Sequence, residues 1–215
     1  MWIRRYLILP ALSLLFVSAA LPAATRDTGQ ARTILVVGDS LSAEYGLQRG
    51  SGWVELLARR LQATGQDYQI RNSSISGDTT SGGIARLPAA LERYKPEIVI
   101  LELGSNDALR GLSLDMTKNN LSRMVDMSQQ AGARTLLVGM QIPPNYGRKY
   151  AERFQALFAE IAEQHHSGLV PFLLQGMATD KSLFQSDGIH PNEQAQAHIE
   201  ANVWQYLAPM LLAGH

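Results

Sequence analysis

The sequence predicts an α/β fold, a parallel sheet covered by helices on both faces, and three observations carry that prediction. From Thr33 onward, short β-rich runs alternate with longer amphipathic ones. Three of the short runs, 34–37, 98–101 and 136–138, are apolar throughout, as parallel strands buried on both faces must be. Polar, glycine-bearing clusters follow the strands, which is where open α/β sheets bind their ligands.

The elements follow in chain order. Residues 1–24 carry Arg4 and Arg5, then an apolar stretch over 6–21, then small residues at Ala19, Ala20, Ala23 and Ala24. This is the layout of a cleaved secretory signal peptide, with the cut after Ala20, Ala23 or Ala24. Pro10 interrupts the apolar stretch and no stop-transfer charges follow it, so a stable membrane anchor is not expected. Removing the segment takes away two arginines and no acid, leaving a slightly acidic remainder, residues 25–215. A strand over Thr33–Val37 comes next, then a helix near 52–64, where Trp53, Leu56 and Leu57 show helical spacing after Ser51 and Gly65 sits just past the end. Strands over Asp67–Arg71, Glu97–Leu103, Arg134–Met140 and Leu169–Phe172 alternate with helices near 81–94, 115–131 and 147–165. Gly132 closes the second of these three helices. A last helix is expected from Pro191 to about Leu211, with proline at its first position and His190 near its N-cap.

Composition narrows the function classes. With 46% apolar and 18% charged residues over 215 positions, the chain can build one good core and does not read as disordered. There is no cysteine, which excludes a disulfide scaffold, a thiolate metal site and a cysteine nucleophile. The 19 basic and 19 acidic residues balance, so the basic footprint of a nucleic-acid partner is absent. No phosphate-binding glycine motif occurs. His165 and His166 end a helix and lack further ligands at metal-binding spacing, so neither a metal nor a cofactor is expected.

The chemistry lies in four clusters. Asp187 and His190 are three residues apart, close enough for the carboxylate to hold Nδ1 and leave Nε2 as a base. Ser40 ends the first strand after Gly38; a serine hydroxyl becomes a nucleophile only when a positioned base takes its proton. Acyl transfer also needs donors for the developing oxyanion, each worth about 3 kcal/mol of barrier. The Ser40 and Gly77 backbone N–H groups and the Asn106 amide are the candidates. Singly, these residues also read as a helix cap, turn glycines and a loop asparagine. Together, a nucleophile, base, orienter and donors at four strand ends point to acyl-transfer chemistry.

The blocks Gly38-Asp39-Ser40-Leu41-Ser42, Gly77, Gly104-Ser105-Asn106-Asp107 and Asp187-Gly188-Ile189-His190-Pro191 resemble the GDSL or SGNH hydrolases, in family order across residues 33–200. The stretches 38–45, 106–111 and 142–147 are similar to the periplasmic thioesterase, protease and lysophospholipase subgroup. The resemblance implies a flavodoxin-like three-layer α/β/α sandwich with a five-stranded parallel sheet in the order 2-1-3-4-5. It implies Ser40, His190 and Asp187 as the triad, Ser40, Gly77 and Asn106 as the oxyanion hole, and an acyl groove along Asn106–Leu112 with Leu109 and Leu112 as wall residues. Asp39 and Asp107 read as turn-holding carboxylates. Ser105 departs from the glycine common in the subgroup. The expected function is a periplasmic or secreted esterase, thioesterase or lysophospholipase acting on small acyl esters and thioesters. The alternatives are a carbohydrate acetylesterase and a non-catalytic acyl-lipid carrier.

Overall fold

Strand β1 (Arg32–Gly38) owes its interior place to Ile34–Val37, all of them without solvent exposure in the computed structural model. The structure describes residues 31–212, so the signal-peptide reading of 1–24 lies outside the described residues. In chain order come α1 (Trp53–Ala63), β2 (Tyr68–Asn72), α2 (Thr80–Tyr94), β3 (Ile98–Glu102), the short α3 (Ser105–Leu109) and α4 (Leu114–Gln130). Then follow β4 (Arg134–Val138), α5 (Arg148–Gln164), β5 (Gly168–Val170) and α6 (Gln196–Leu212).

The sheet is parallel throughout with the order β2-β1-β3-β4-β5. Ile34 pairs with both Ile70 and Ile98, so the apolar middle of β1 lies between two strands at matched height. Helices α1 and α6 pack together, as do α2, α4 and α5 in series, and these two groups bury the two faces of the sheet. The apolar stripe of α1, Trp53, Val54, Leu57 and Leu61, recurs at helical spacing and is fully buried. Phe154 and Phe158 of α5 meet edge to face, 5.3 Å between ring centres. At the amino ends of the strands Glu97 accepts from Tyr68 Oη and Arg134 Nη2, both at 2.7 Å, with Arg32 Nη1 3.7 Å away. That ionic cluster ties four strand beginnings together and leaves their carboxyl ends to the loops.

Three differences from the sequence reading bear on the site. β5 stops at Val170 because Pro171 has no N–H to continue the ladder. The five-residue α3 is too short to show a period. The last helix starts at Gln196 and not at Pro191, so His190 is not near a helix cap. The His190 carbonyl instead accepts from Gln185 N at 2.7 Å and Asn192 N donates to Leu183 O at 2.8 Å. These bonds pair Pro191 antiparallel to Phe184, and Asn192 then caps a 3-10 turn over Glu193–Ala195.

Candidate active site

Everything that converges at the carboxyl ends of β1 and β3 starts from a tight turn. After Gly38 the chain folds back, with Ala43 N donating to Asp39 O at 3.0 Å and the Asp39 carboxylate accepting from Leu41 N at 3.0 Å. Gly38 is needed for space. A Cβ there would lie 2.7 Å from both Glu102 Oε2 and Ser42 Oγ. Ser40 is thereby carried at the top of the sheet, half-buried.

The loop before α6 supplies its partners. Asp187 Oδ1 accepts from Ile189 N at 2.8 Å and His190 N at 3.0 Å, so one carboxylate oxygen shapes the turn. Its other oxygen lies 2.7 Å from His190 Nδ1, and His190 Nε2 lies 3.0 Å from Ser40 Oγ. The backbone and ring donors of His190, followed by Ile189 N, hold the Asp187 carboxyl down at about 2. The result is a hydrogen-bonded chain from carboxylate through imidazole to hydroxyl, the geometry in which a base can take a serine proton.

Asn106 lies in the first turn of α3, and its Nδ2 donates to Asp39 Oδ2 at 3.0 Å. One hydrogen of that amide is thus tied down, which fixes the plane in which the other points. Gly77 adopts φ +78°, and a Cβ there would meet only Arg110 Nη2, at 3.8 Å. Its glycine requirement is therefore conformational and not one of close approach. Arg110 Nη2 also donates to the Gly77 carbonyl at 2.9 Å, joining the loop after β2 to the end of α3. Asp107 does more than hold a turn. It accepts from Thr80 N at 2.9 Å, Thr80 Oγ1 at 2.5 Å and Thr117 Oγ1 at 3.4 Å, and so locks α3 against the starts of α2 and α4.

Ser40, Asn106 and His190 open into one cleft of about 740 Å³. Leu41, Leu109, Met140, Ile142, Phe172 and Leu174 give its walls an apolar character, and Pro143 and Tyr146 extend them. Gly77 and Leu112 are not among the lining residues. Leu112 is half-buried, and its carbonyl accepts from Tyr150 Oη at 2.9 Å. Ser105, whose side chain is buried, sits at the cleft floor.

Two further residues at the site were not among the candidates. Tyr45 packs its ring on the imidazole of His190, and Glu102 lies wholly buried beneath the Ser40 turn. The signal for Glu102 was present: an acid at the end of an apolar strand in the middle of the sheet must be there for a polar partner.

A five-stranded parallel sheet between two helical layers, with this serine, imidazole and carboxylate at its carboxyl edge, defines the class of three-layer α/β hydrolases. Known proteins place the chain within that class. The GDSL-like Lipase/Acylhydrolase family matches over residues 36–198. The chain is 48% identical to Esterase TesA of Pseudomonas aeruginosa, over 84% of this chain and 90% of that protein. It is 38% identical to Thioesterase 1/protease 1/lysophospholipase L1 of Escherichia coli K12, over 84% and 86% of the two chains. The solved psychrotrophic esterase EstA from Pseudoalteromonas sp., inhibited by monoethylphosphonate, superimposes with a TM-score of 0.80 at 42% identity, over 84% of this chain and 98% of that one. The chain belongs to the GDSL-like lipase/acylhydrolase family and is an acyl-ester hydrolase.

Proposed function

We propose that the protein is an exported, cofactor-free serine hydrolase that cleaves esters and thioesters of acyl chains, lysophospholipids among them. Ser40 Oγ attacks the acyl carbonyl as His190 Nε2 takes its proton. The tetrahedral oxyanion is held by the backbone N–H groups of Ser40 and Gly77 and by the free N–H of Asn106. His190 then returns the proton to the departing alcohol or thiol, leaving the acyl group on Ser40. Water repeats the cycle, giving its proton to His190 and releasing the acid. Asp187 keeps the imidazole oriented and stabilises it while protonated.

The observation that carries this reading is the unbroken chain of 2.7 Å and 3.0 Å contacts from Asp187 through His190 to Ser40 at the mouth of an apolar cleft. Apolar walls suit an acyl chain better than a sugar, and a complete triad has no purpose in a carrier. Residues 1–24 support export, and no helix among the described residues is long and apolar enough to cross a membrane.

The test is a series of p-nitrophenyl acyl esters from acetate to palmitate, given to the wild type and to Ser40→Ala. The expected result is loss of turnover by at least about a thousandfold in the variant, with a medium- or long-chain optimum in the wild type. Unchanged turnover in Ser40→Ala overturns the mechanism. An optimum at acetate points to deacetylation, and binding without turnover points to a carrier. N-terminal sequencing of protein from the periplasmic fraction tests export and locates the cut.

A further inference from the structure

Beneath Ser40 and Asn106 lie two buried carboxyls that bond-making does not require. Glu102, with no solvent exposure, closes β3. Its Oε2 accepts from Ser42 Oγ at 2.7 Å and from Asp39 N at 3.3 Å, so it grips the chain on both sides of Ser40. Asp39 is 1% exposed and holds the Asn106 amide on its far side. The two residues adjoin through that Asp39 N–H, and Glu102 Oε1 receives no N–H or O–H from the described residues.

Among the described residues no cation resolves this pair. Arg86 approaches from α2, but its Nη2 reaches the Gly38 carbonyl at 3.2 Å and pairs with Asp78 at 2.8 Å. His190 faces Asp39 from the loop before α6, and its ring nitrogens are occupied by Asp187 and Ser40. Asp107, the next acid along, is directed to Thr80 and Thr117. Two charged carboxylates in a buried contact repel each other strongly, whereas a single proton between them makes an O–H···O⁻ hydrogen bond. Burial pushes both acids up, and Asp39, whose carboxylate accepts from Leu41 N and Asn106 Nδ2, is the better placed to hold the single charge.

We propose that Glu102 works as the neutral acid, its proton donated from the otherwise unpartnered oxygen to the Asp39 carboxylate, and that this proton-sharing pair positions both Ser40 and Asn106. The inference rests on reading those two residues as nucleophile and oxyanion donor. A charged Asp39 takes one hydrogen of the Asn106 amide and leaves the other for the oxyanion. A neutral Glu102 keeps a second negative charge away from the place where the oxyanion develops.

Glutamine reproduces the proposed state, since its carbonyl replaces Oε2 and its amide N–H replaces the shared proton. Glu102→Gln is expected to stay within about threefold of the wild-type kcat, and Glu102→Leu to lose kcat at least about tenfold with little change in KM. A neutral buried acid also opposes folding more as pH rises. The unfolded chain releases this proton near the ordinary value of 4.5 while the folded chain retains it. The melting temperature of Glu102→Gln should therefore climb above that of the wild type progressively from pH 4.5 upward. Infrared difference spectra at neutral pH should show a protonated carboxyl band in the wild type and none in Glu102→Gln. Glu102→Gln as impaired as Glu102→Leu, or the absence of that band from the wild type, overturns the proposal. Should Glu102→Leu fail to fold, the glutamine variant and the spectrum decide. Failure of the site reading is separately visible, as unchanged turnover in Ser40→Ala with the infrared band intact.

Discussion

The ring of Tyr45 rests on the imidazole of His190, with ring centres 4.4 Å apart and planes tilted by 40°. Gln185 fixes the arrangement from below. Its side-chain amide donates to the Tyr45 carbonyl at 2.9 Å and its backbone N–H to the His190 carbonyl at 2.7 Å. The loop after β1 and the loop before α6 are thereby joined beside the imidazole, although half of Tyr45 remains exposed.

Removing that ring should loosen His190 without touching its charge partners. Tyr45→Ala is expected to lower kcat about tenfold at nearly constant KM, because small errors in placing a base lower the rate steeply. Tyr45→Phe keeps the ring and should stay near wild type. Steady-state kinetics on one ester separates the two, and an equal loss in both would place the effect in the hydroxyl.

Asn106→Ala should reduce kcat by about 100- to 1000-fold, the usual loss for one oxyanion donor. KM should move little, since the donor meets charge that develops only in the transition state. Single-turnover rates on a p-nitrophenyl ester check this. A purely raised KM would make Asn106 a binding residue.

Acid should weaken the fold through Asp187. Its folded carboxyl, held at about 2, lies below the ordinary 3.8, so the unfolded chain binds the proton first. The stabilisation is complete above pH 3.8 and is lost as pH falls toward 2. Thermal melts across that window should fall less steeply for Asp187→Asn than for the wild type. Solvent exposure of the carboxylate keeps the difference small.

Cleft volume should set acyl preference. Leu174 is nearly buried and lines the cleft wall, so Leu174→Trp narrows the space for a chain. The expected outcome is a rise in KM for dodecanoyl esters with acetyl esters little changed. Parallel chain-length profiles for the two proteins measure it, and a uniform loss at every length would indicate a folding defect instead.

The sheet was legible because its strands are the apolar runs that burial on both faces requires, and Ile34–Val37 and Ile98–Leu101 could not have been read otherwise. The residues brought together at the cleft were legible as clusters after strands. What escaped the sequence was local or long-range in a way that no period records. The start of α6 depends on a backbone pairing between Phe184 and Pro191 that no propensity predicts. Glu102 closes an apolar strand, and its importance lies in Asp39 and Ser42, some 60 residues away in the chain. Gly77 was legible as a turn glycine, but its φ of +78° is a demand of the folded loop that no spacing records.

Ser40 and His190 meet across 150 residues of chain, one following the first strand of the sheet and the other preceding the last helix. In this topology the hydroxyl has no imidazole beside it until the final segment has docked. Under the proposed mechanism, a chain still being synthesised therefore carries an inert serine. Recovery of turnover during refolding becomes a clock for the last tertiary step, and it should lag behind the helical signal of the chain.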